Sequence, residues 1–359
     1  INTSDWKNHK HSADKNYRNV VLHVVWKADV DLTLSFSTLV LQDKVPKMLL
    51  QKYEELMNAD SFIPCEKNIR MVNELTWQSW KERLLVERLE AKTKQVFNYL
   101  DKNNNHWEET LWWLLAKNFG IKLNSAAFEK IAWSVPVNIL AKHKEQIHQV
   151  EALLFGQAGL LDPDFTEDYP KLLQREYQFL KNKYNLKKME GPLIFLRMRP
   201  LNFPTIRLAQ LAMLVHESLH LFSKLKESQE LKEVRSLLQI TANDYWHYHY
   251  VFDEPTAFKK KKLGNQMLDN ILINTVIPVL FAYGHYHHEN VYKDKALKWL
   301  EEIRAEKNTI TKGFTLLHVA NKTAFDSQSL IQLKNEYCNK KRCLDCSVGN
   351  FLLRKGYMT

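Results

Sequence analysis

Residues 20–26 read VVLHVVW and residues 32–41 read LTLSFSTLVL, and the fold turns on how little else in the chain resembles them. The first run is β-branched almost throughout, which suits a strand buried on both faces, and the second is more alternating. Just before them, SDWKNHKHSADKNY at 4–17 reads as a short helix or loop packed beside the strand. From Pro46 to about residue 335 apolar residues return at helical spacing, and the whole chain has only nine glycines to interrupt them. Stop signals place helices near 46–57, 69–100, 108–118, 137–155, 168–182, 204–226, 228–240, 264–288, 291–306 and 326–337. Gly120 is expected to close one of these in the left-handed conformation, with Asn124 and Ser125 opening the next. The expected fold is mainly α: a small α/β piece at 1–45, then a multi-helical body at 46–359 that ends in a cysteine cluster. No internal repeat or low-complexity linker is evident.

At 359 residues, 45% of them hydrophobic, the chain can bury a large core, which excludes disorder. Its 51 Lys and Arg against 41 Asp and Glu give a formal charge of +10 and favour a polyanionic partner such as nucleic acid without deciding it. No run reaches the roughly 18 apolar residues of a spanning helix. The nearest, Ile271 to Tyr283, contains Asn274 and Pro278 and reads as a buried helix, so no membrane partner is expected and a cytoplasmic location is. The chain opens on Ile1 as if in mid-domain, so an N-terminally incomplete chain is expected.

Three of the four cysteines, Cys338, Cys343 and Cys346, fall within EYCNKKRCLDCSVGNFLL at 336–353, and the fourth is Cys65 in FIPCEK. Thiolates spaced this closely can share one metal, and Cys65 completes four ligands, so a zinc ion or a four-iron, four-sulfur (4Fe–4S) cluster is expected to tie the ends together. Ordinary reduced thiols are the alternative. A disulfide fits less well, with no secretory signal and few cysteines.

Other motifs carry weaker chemistry. HESLH at 216–220 matches the zinc-peptidase pattern in which two His one helical turn apart hold the metal and Glu217 activates water. Ser223 and Lys226 break its extended form, Glu230 and Glu233 are the available third ligands, and His216 and His220 flanking an apolar helix face is the preferred reading. In LRMRPLNFPTIRLAQLA at 196–212, Arg197, Arg199 and Arg207 surround a helix start at Asn202 to Pro204 and are candidates for a phosphate or nucleic-acid contact, unless neighbouring acids pair them. DYWHYHYVFDEP at 244–255, followed by FKKKKLG, mixes rings and lysines as a single-strand binder does, although core rings and a solvated lysine loop explain it as well. His285, His287, His288 and Glu289 read as a helix end. There is no Walker A loop, dinucleotide-binding glycine pattern or nucleophile elbow, which argues against nucleotide-dependent chemistry.

Read together, these segments resemble one bacterial family, the domain of unknown function 2851. The resemblance runs along nearly the whole chain and rests on 4–26, FIPC, LAKNFGIKLNSAAFEKIAWSVP, ALLFGQAGLL, RMRPLNFPTIRLAQLA, NILINTVIPVLFAYG and the terminal cysteine segment. It brings no assigned reaction. It implies that 1–45 is the trailing part of a PD-(D/E)xK nuclease-like core, whose Mg²⁺-binding Asp and Glu would lie upstream, so that the polypeptide as given is catalytically inactive. On that reading His9, His11, Tyr17 and His23 are accessory residues that contact phosphate or orient water, or else pack the helix on the sheet. The implied role is DNA or RNA processing. The alternative is a non-enzymatic helical scaffold or nucleic-acid-binding protein with a structural metal, and a zinc peptidase is a distant third.

Overall fold

The structure is a computed structural model, and it describes residues 1–218 and 220–355. In chain order the helices are α1 Ser4–Asn8, α2 Lys47–Asn58, α3 Glu74–Lys102, α4 Trp107–Phe119, α5 Ile121–Ser134, α6 Val137–His143, α7 Ile147–Gln157 and α8 Asp168–Tyr184. There follow α9 Pro204–Glu217, α10 Leu221–Glu227, α11 Leu231–Leu237, α12 Asn265–Ile271, α13 Ile277–Tyr286, α14 Asn290–Glu302, α15 Thr309–Leu316, α16 Ala324–Gln332 and α17 Ser347–Arg354. Strands β1 Leu22–Val25 and β2 Ser37–Val40 make a two-stranded parallel sheet, so the protein is mainly α with a small N-terminal α/β part.

The chain divides into two compact units. One comprises 1–80, 313–319 and 333–359, and the other 81–312 and 320–332. In the first, β1 and β2 pair in register from Leu22 with Ser37 to Val25 with Val40. The ladder extends on the other side of β1, where Trp26 donates to the Ile1 carbonyl at 2.8 Å, Thr3 donates to Lys27 at 3.1 Å and Asn2 bridges Lys27 in parallel. Helix α1 thus lies between the single bridging residue Asn2 and β1. Trp6 on α1 is buried and collects His11, Tyr17, His23 and Phe36, with ring centroids 5.0 to 5.6 Å away. The rest of this unit packs Phe62 on Phe314 at 5.3 Å and Trp80 edge-on to Tyr337 at 5.1 Å.

The second unit has one continuous hydrophobic core in which α4 packs on α5, α7 on α8 and α9, and α13 on α14. Trp246, Trp299, Phe119, Phe128 and Phe155 are wholly buried there. Its central helix runs unbroken for 22 residues, Asn265–Tyr286, through a π-helical stretch at Leu272–Val276. It is long and apolar enough to cross a membrane, yet 78% of its most apolar window is buried inside the protein, as a core helix is.

Several expectations need correction. β1 is covered on one face only, because Leu22 and Val24 are exposed while His23 and Val25 are buried. Gly120 keeps a right-handed φ of −64° and Ile121 takes the left-handed one at +52°, so α5 starts at once and not at Asn124. Glycine is needed at 120 for space: a Cβ there would stand 2.5 Å from the Asn124 carbonyl oxygen. The helix expected at 137–155 is two, α6 and α7. The one expected at 204–226 breaks inside HESLH.

Candidate functional site

Cys65 immediately precedes the 3₁₀ turn Glu66–Met71, Cys338 ends the π-helical stretch Leu333–Cys338, and Cys346 is the N-cap of α17, with Cys343 in the loop before it. All four belong to the first unit. The loop is held by backbone bonds from Arg342 to Tyr337 at 2.9 Å and from Asn350 to Cys346 at 2.8 Å, and by the Arg342 guanidinium over the Tyr337 ring at 4.7 Å. Gly349 lets α17 sit on this loop, since a Cβ there would lie 2.2 Å from the Cys343 carbonyl oxygen.

Cys343 and Cys346 are buried, Cys65 and Cys338 half-buried, and none is in a disulfide. The thiols feel one another's charge. Burial pushes Cys65 up to about 12, and the charges of Cys346 and Cys343 add to it. Cys338 is raised by burial and then by its three fellow cysteines, and burial with Cys346 takes Cys343 to about 11. Cys346 is raised by burial but is opposed by the Gly349 and Val348 N–H groups at the start of α17 and by the Trp80 indole. Among the described residues no three His, Cys, Asp or Glu side chains stand as closely as the ligands of a single ion. The donor set nevertheless suits a soft metal: four sulfurs, two of them buried, each costly to ionise alone and stabilised as thiolates by a cation in their midst. N–H groups directed at Cys346 are the kind of outer contact that stabilises a ligating sulfur.

The accessory candidates gather around Trp6. His11 stacks near Tyr17 at 4.0 Å, His9 lies 5.4 Å from His11, and the Trp6 indole donates to Ser12 Oγ at 2.8 Å. His9 is exposed. His23 is buried on β1, and its Nδ1 meets no partner among the described residues. The cluster joins helix to sheet, with only His9, His11 and Tyr17 reaching solvent.

In the second unit Arg207 is buried, donating to Gln210 at 2.9 Å and Asn202 at 2.5 Å, with Nε unpartnered. No carboxylate answers it, and burial alone lowers its pKa to about 10. Arg197, whose φ is +61°, and Arg199 are exposed, and neither contributes to that shift. Only Arg207 is therefore part of a built arrangement.

The peptidase motif does not form. α9 ends at Glu217 and His220 takes φ +53° ahead of α10, so the two imidazoles are not one turn apart on a helix. Leu219 lies outside the described residues. His216 Nδ1 instead pairs with the Lys144 carbonyl at 2.5 Å. Most of the aromatic segment is core, where Trp246 stacks on Phe155 at 5.0 Å and Tyr245 stacks on Tyr169 at 4.7 Å and on His249 at 4.0 Å, while Tyr248 and the following Phe258 are exposed. The lysine run is not all solvated, because Lys261 is fully buried with Nζ 3.9 Å from the centre of the Tyr250 ring.

Sequence reasoning missed the acids beneath these rings. Glu151 is wholly buried, accepting from the Tyr169 hydroxyl at 2.5 Å and the Trp246 indole at 3.0 Å, and burial raises it to about 7. Glu167 accepts from the Tyr245 hydroxyl at 2.6 Å and pairs with His249 at 3.0 Å. The available signal was one glutamate inside the apolar run VEALLFG.

The sequence profile of a family described as protein of unknown function (DUF2851) matches residues 1–309. No curated protein and no solved structure matches the chain.

Proposed function

We propose that this chain, which belongs to the DUF2851 family, takes part in DNA or RNA processing in the cytoplasm as a nuclease-like protein, with a metal centre on Cys65, Cys338, Cys343 and Cys346. The observation that carries the reading is the course of the first residues: helix α1 followed by β1, with Asn2 before the helix bridging Lys27 in parallel just past the end of the strand. A helix leading into a strand is what the trailing part of a PD-(D/E)xK core would contribute. The exposed His9 and half-buried His11 and Tyr17 beside it suit contact with a phosphate. The formal charge of +10 suits a polyanion.

Zinc and a 4Fe–4S cluster both suit a set of four cysteine sulfurs. A single zinc draws four sulfurs to ~2.3 Å from one point.

The test is binding of labelled single- and double-stranded DNA and RNA by fluorescence anisotropy over a salt series, with a nicking assay in Mg²⁺ or Mn²⁺ on the same samples. The reading expects affinity to fall steeply with salt and to weaken when Arg197 and Arg199 are both replaced by Ala. Absence of saturable binding at low salt would remove it, whatever metal the cysteines hold.

A further inference from the structure

In the second unit, a cavity of about 400 Å³ opens between α3, α4, α5 and the π-helical stretch. Its wall carries Lys92, Lys117 and Lys122, with Asn118, Ser125 and Asn274 between them, and no Asp or Glu is among its described lining residues. The volume is that of a small-molecule site.

The three charges are answered unequally. Lys117 lies 3.3 Å from Glu129, just behind the wall, and also donates to the Tyr99 hydroxyl at 3.0 Å. Lys92 meets only neutral acceptors: the Ile273 carbonyl at 3.2 Å, Asn274 Oδ1 at 3.0 Å and Gln328 Oε1 at 3.1 Å. Lys122 is exposed at the rim. Burial holds Lys92 down to about 7, with the Glu306 carboxylate opposing that shift, and burial lowers Lys117 as well, so Lys122 and Lys117, the latter set against Glu129, carry most of the positive charge, while the Asn118 amide and Ser125 hydroxyl add neutral donors to the wall. Two local departures from regular geometry also face it, the left-handed φ of +52° at β-branched Ile121 and the π-helical stretch itself. Such features persist where surrounding structure holds a site in shape.

We propose that this cavity is an oxyanion-binding site for a phosphate group. Three lysines, no aromatic ring among the described lining residues and neutral hydrogen-bond donors match a compact, charged phosphate better than a ring. The group can come from a free phosphorylated small molecule or from a nucleic-acid backbone. The site rests on neither the cysteine set nor the nuclease-like reading.

The probe is inorganic pyrophosphate, titrated into the full chain by calorimetry and repeated with Lys122→Glu and Lys117→Gln, each checked for native helicity. Lys122 lies on the surface, so its variant tests the site without disturbing the core. The expected result is saturable binding that weakens at least tenfold in both variants. A labelled single-stranded oligonucleotide then separates the sources: displacement by pyrophosphate assigns the site to the backbone, and no displacement assigns it to a free small molecule. Absence of saturable pyrophosphate binding, or binding equal to wild type in both variants, would overturn the proposal.

Discussion

Lys92 Nζ stands 3.2 Å from the carbonyl oxygen of Ile273, an oxygen that the central helix cannot satisfy itself. Ile277 donates its N–H to Leu272, five residues back, and the next residue is Pro278, which has no N–H to give Ile273. The lysine supplies the missing donor. Replacing Lys92 with Met is expected to leave that carbonyl and Asn274 Oδ1 without this donor, while Gln328 Oε1 keeps Arg88, and to cost roughly 2 kcal/mol. Urea unfolding of the two proteins checks this, and an unchanged midpoint would show that the lysine is dispensable.

Glu151 makes stability depend on pH. Burial raises it from the ordinary 4.5 to about 7, against the bonds from Tyr169 and Trp246. Between those values the folded protein holds a proton that the unfolded chain has released, so stability is highest below pH 4.5 and declines until about pH 7. The contribution is on the order of 3 kcal/mol across that window. Glu151→Gln is expected to flatten the decline, read as the difference between wild-type and variant unfolding free energies along a pH series. Parallel curves would show that Glu151 titrates normally.

Gly349→Ala places a methyl 2.2 Å from the backbone oxygen of Cys343, and backbone cannot swing aside as a side chain can. The expected loss is about 1–3 kcal/mol. The same displacement moves Cys343 away from Cys346, so bound metal should fall with the melting temperature. A variant with wild-type stability and metal content would mean that α17 does not clamp this loop.

Glu217 is exposed and stands where α9 ends. Glu217→Gln is expected to change stability by no more than ~0.5 kcal/mol and to leave zinc content as it was. Loss of bound zinc in that variant would restore the peptidase reading that the broken helix removes.

Helical periodicity made the helical body legible, and the β-branched run located β1. Breaks set by one residue's conformation were harder to see. The turn between α4 and α5 needed space at Gly120 and strain at Ile121, and spacing alone does not reveal that an isoleucine will take a positive φ. HESLH has helical spacing and still breaks, because Ser218 turns extended at φ −133° and His220 then takes the left-handed conformation ahead of α10. Composition also hid Lys261 and Glu151, since a charged residue discloses its burial only through partners distant in the chain, here Tyr250 and Trp246. The cysteines were read as a set from their scarcity, and all four lie in one unit, although among the described residues no three of them stand as closely as the ligands of a single ion.

The claim that those four sulfurs share a metal is tested most directly by the iron, sulfide and zinc content and the visible spectrum of anaerobically purified protein, beside Cys65→Ser. We expect a brown protein carrying one four-iron cluster per chain or a colourless one carrying one zinc, with the metal lost in the variant. A colourless wild-type protein holding neither iron nor zinc in stoichiometric amount would contradict it.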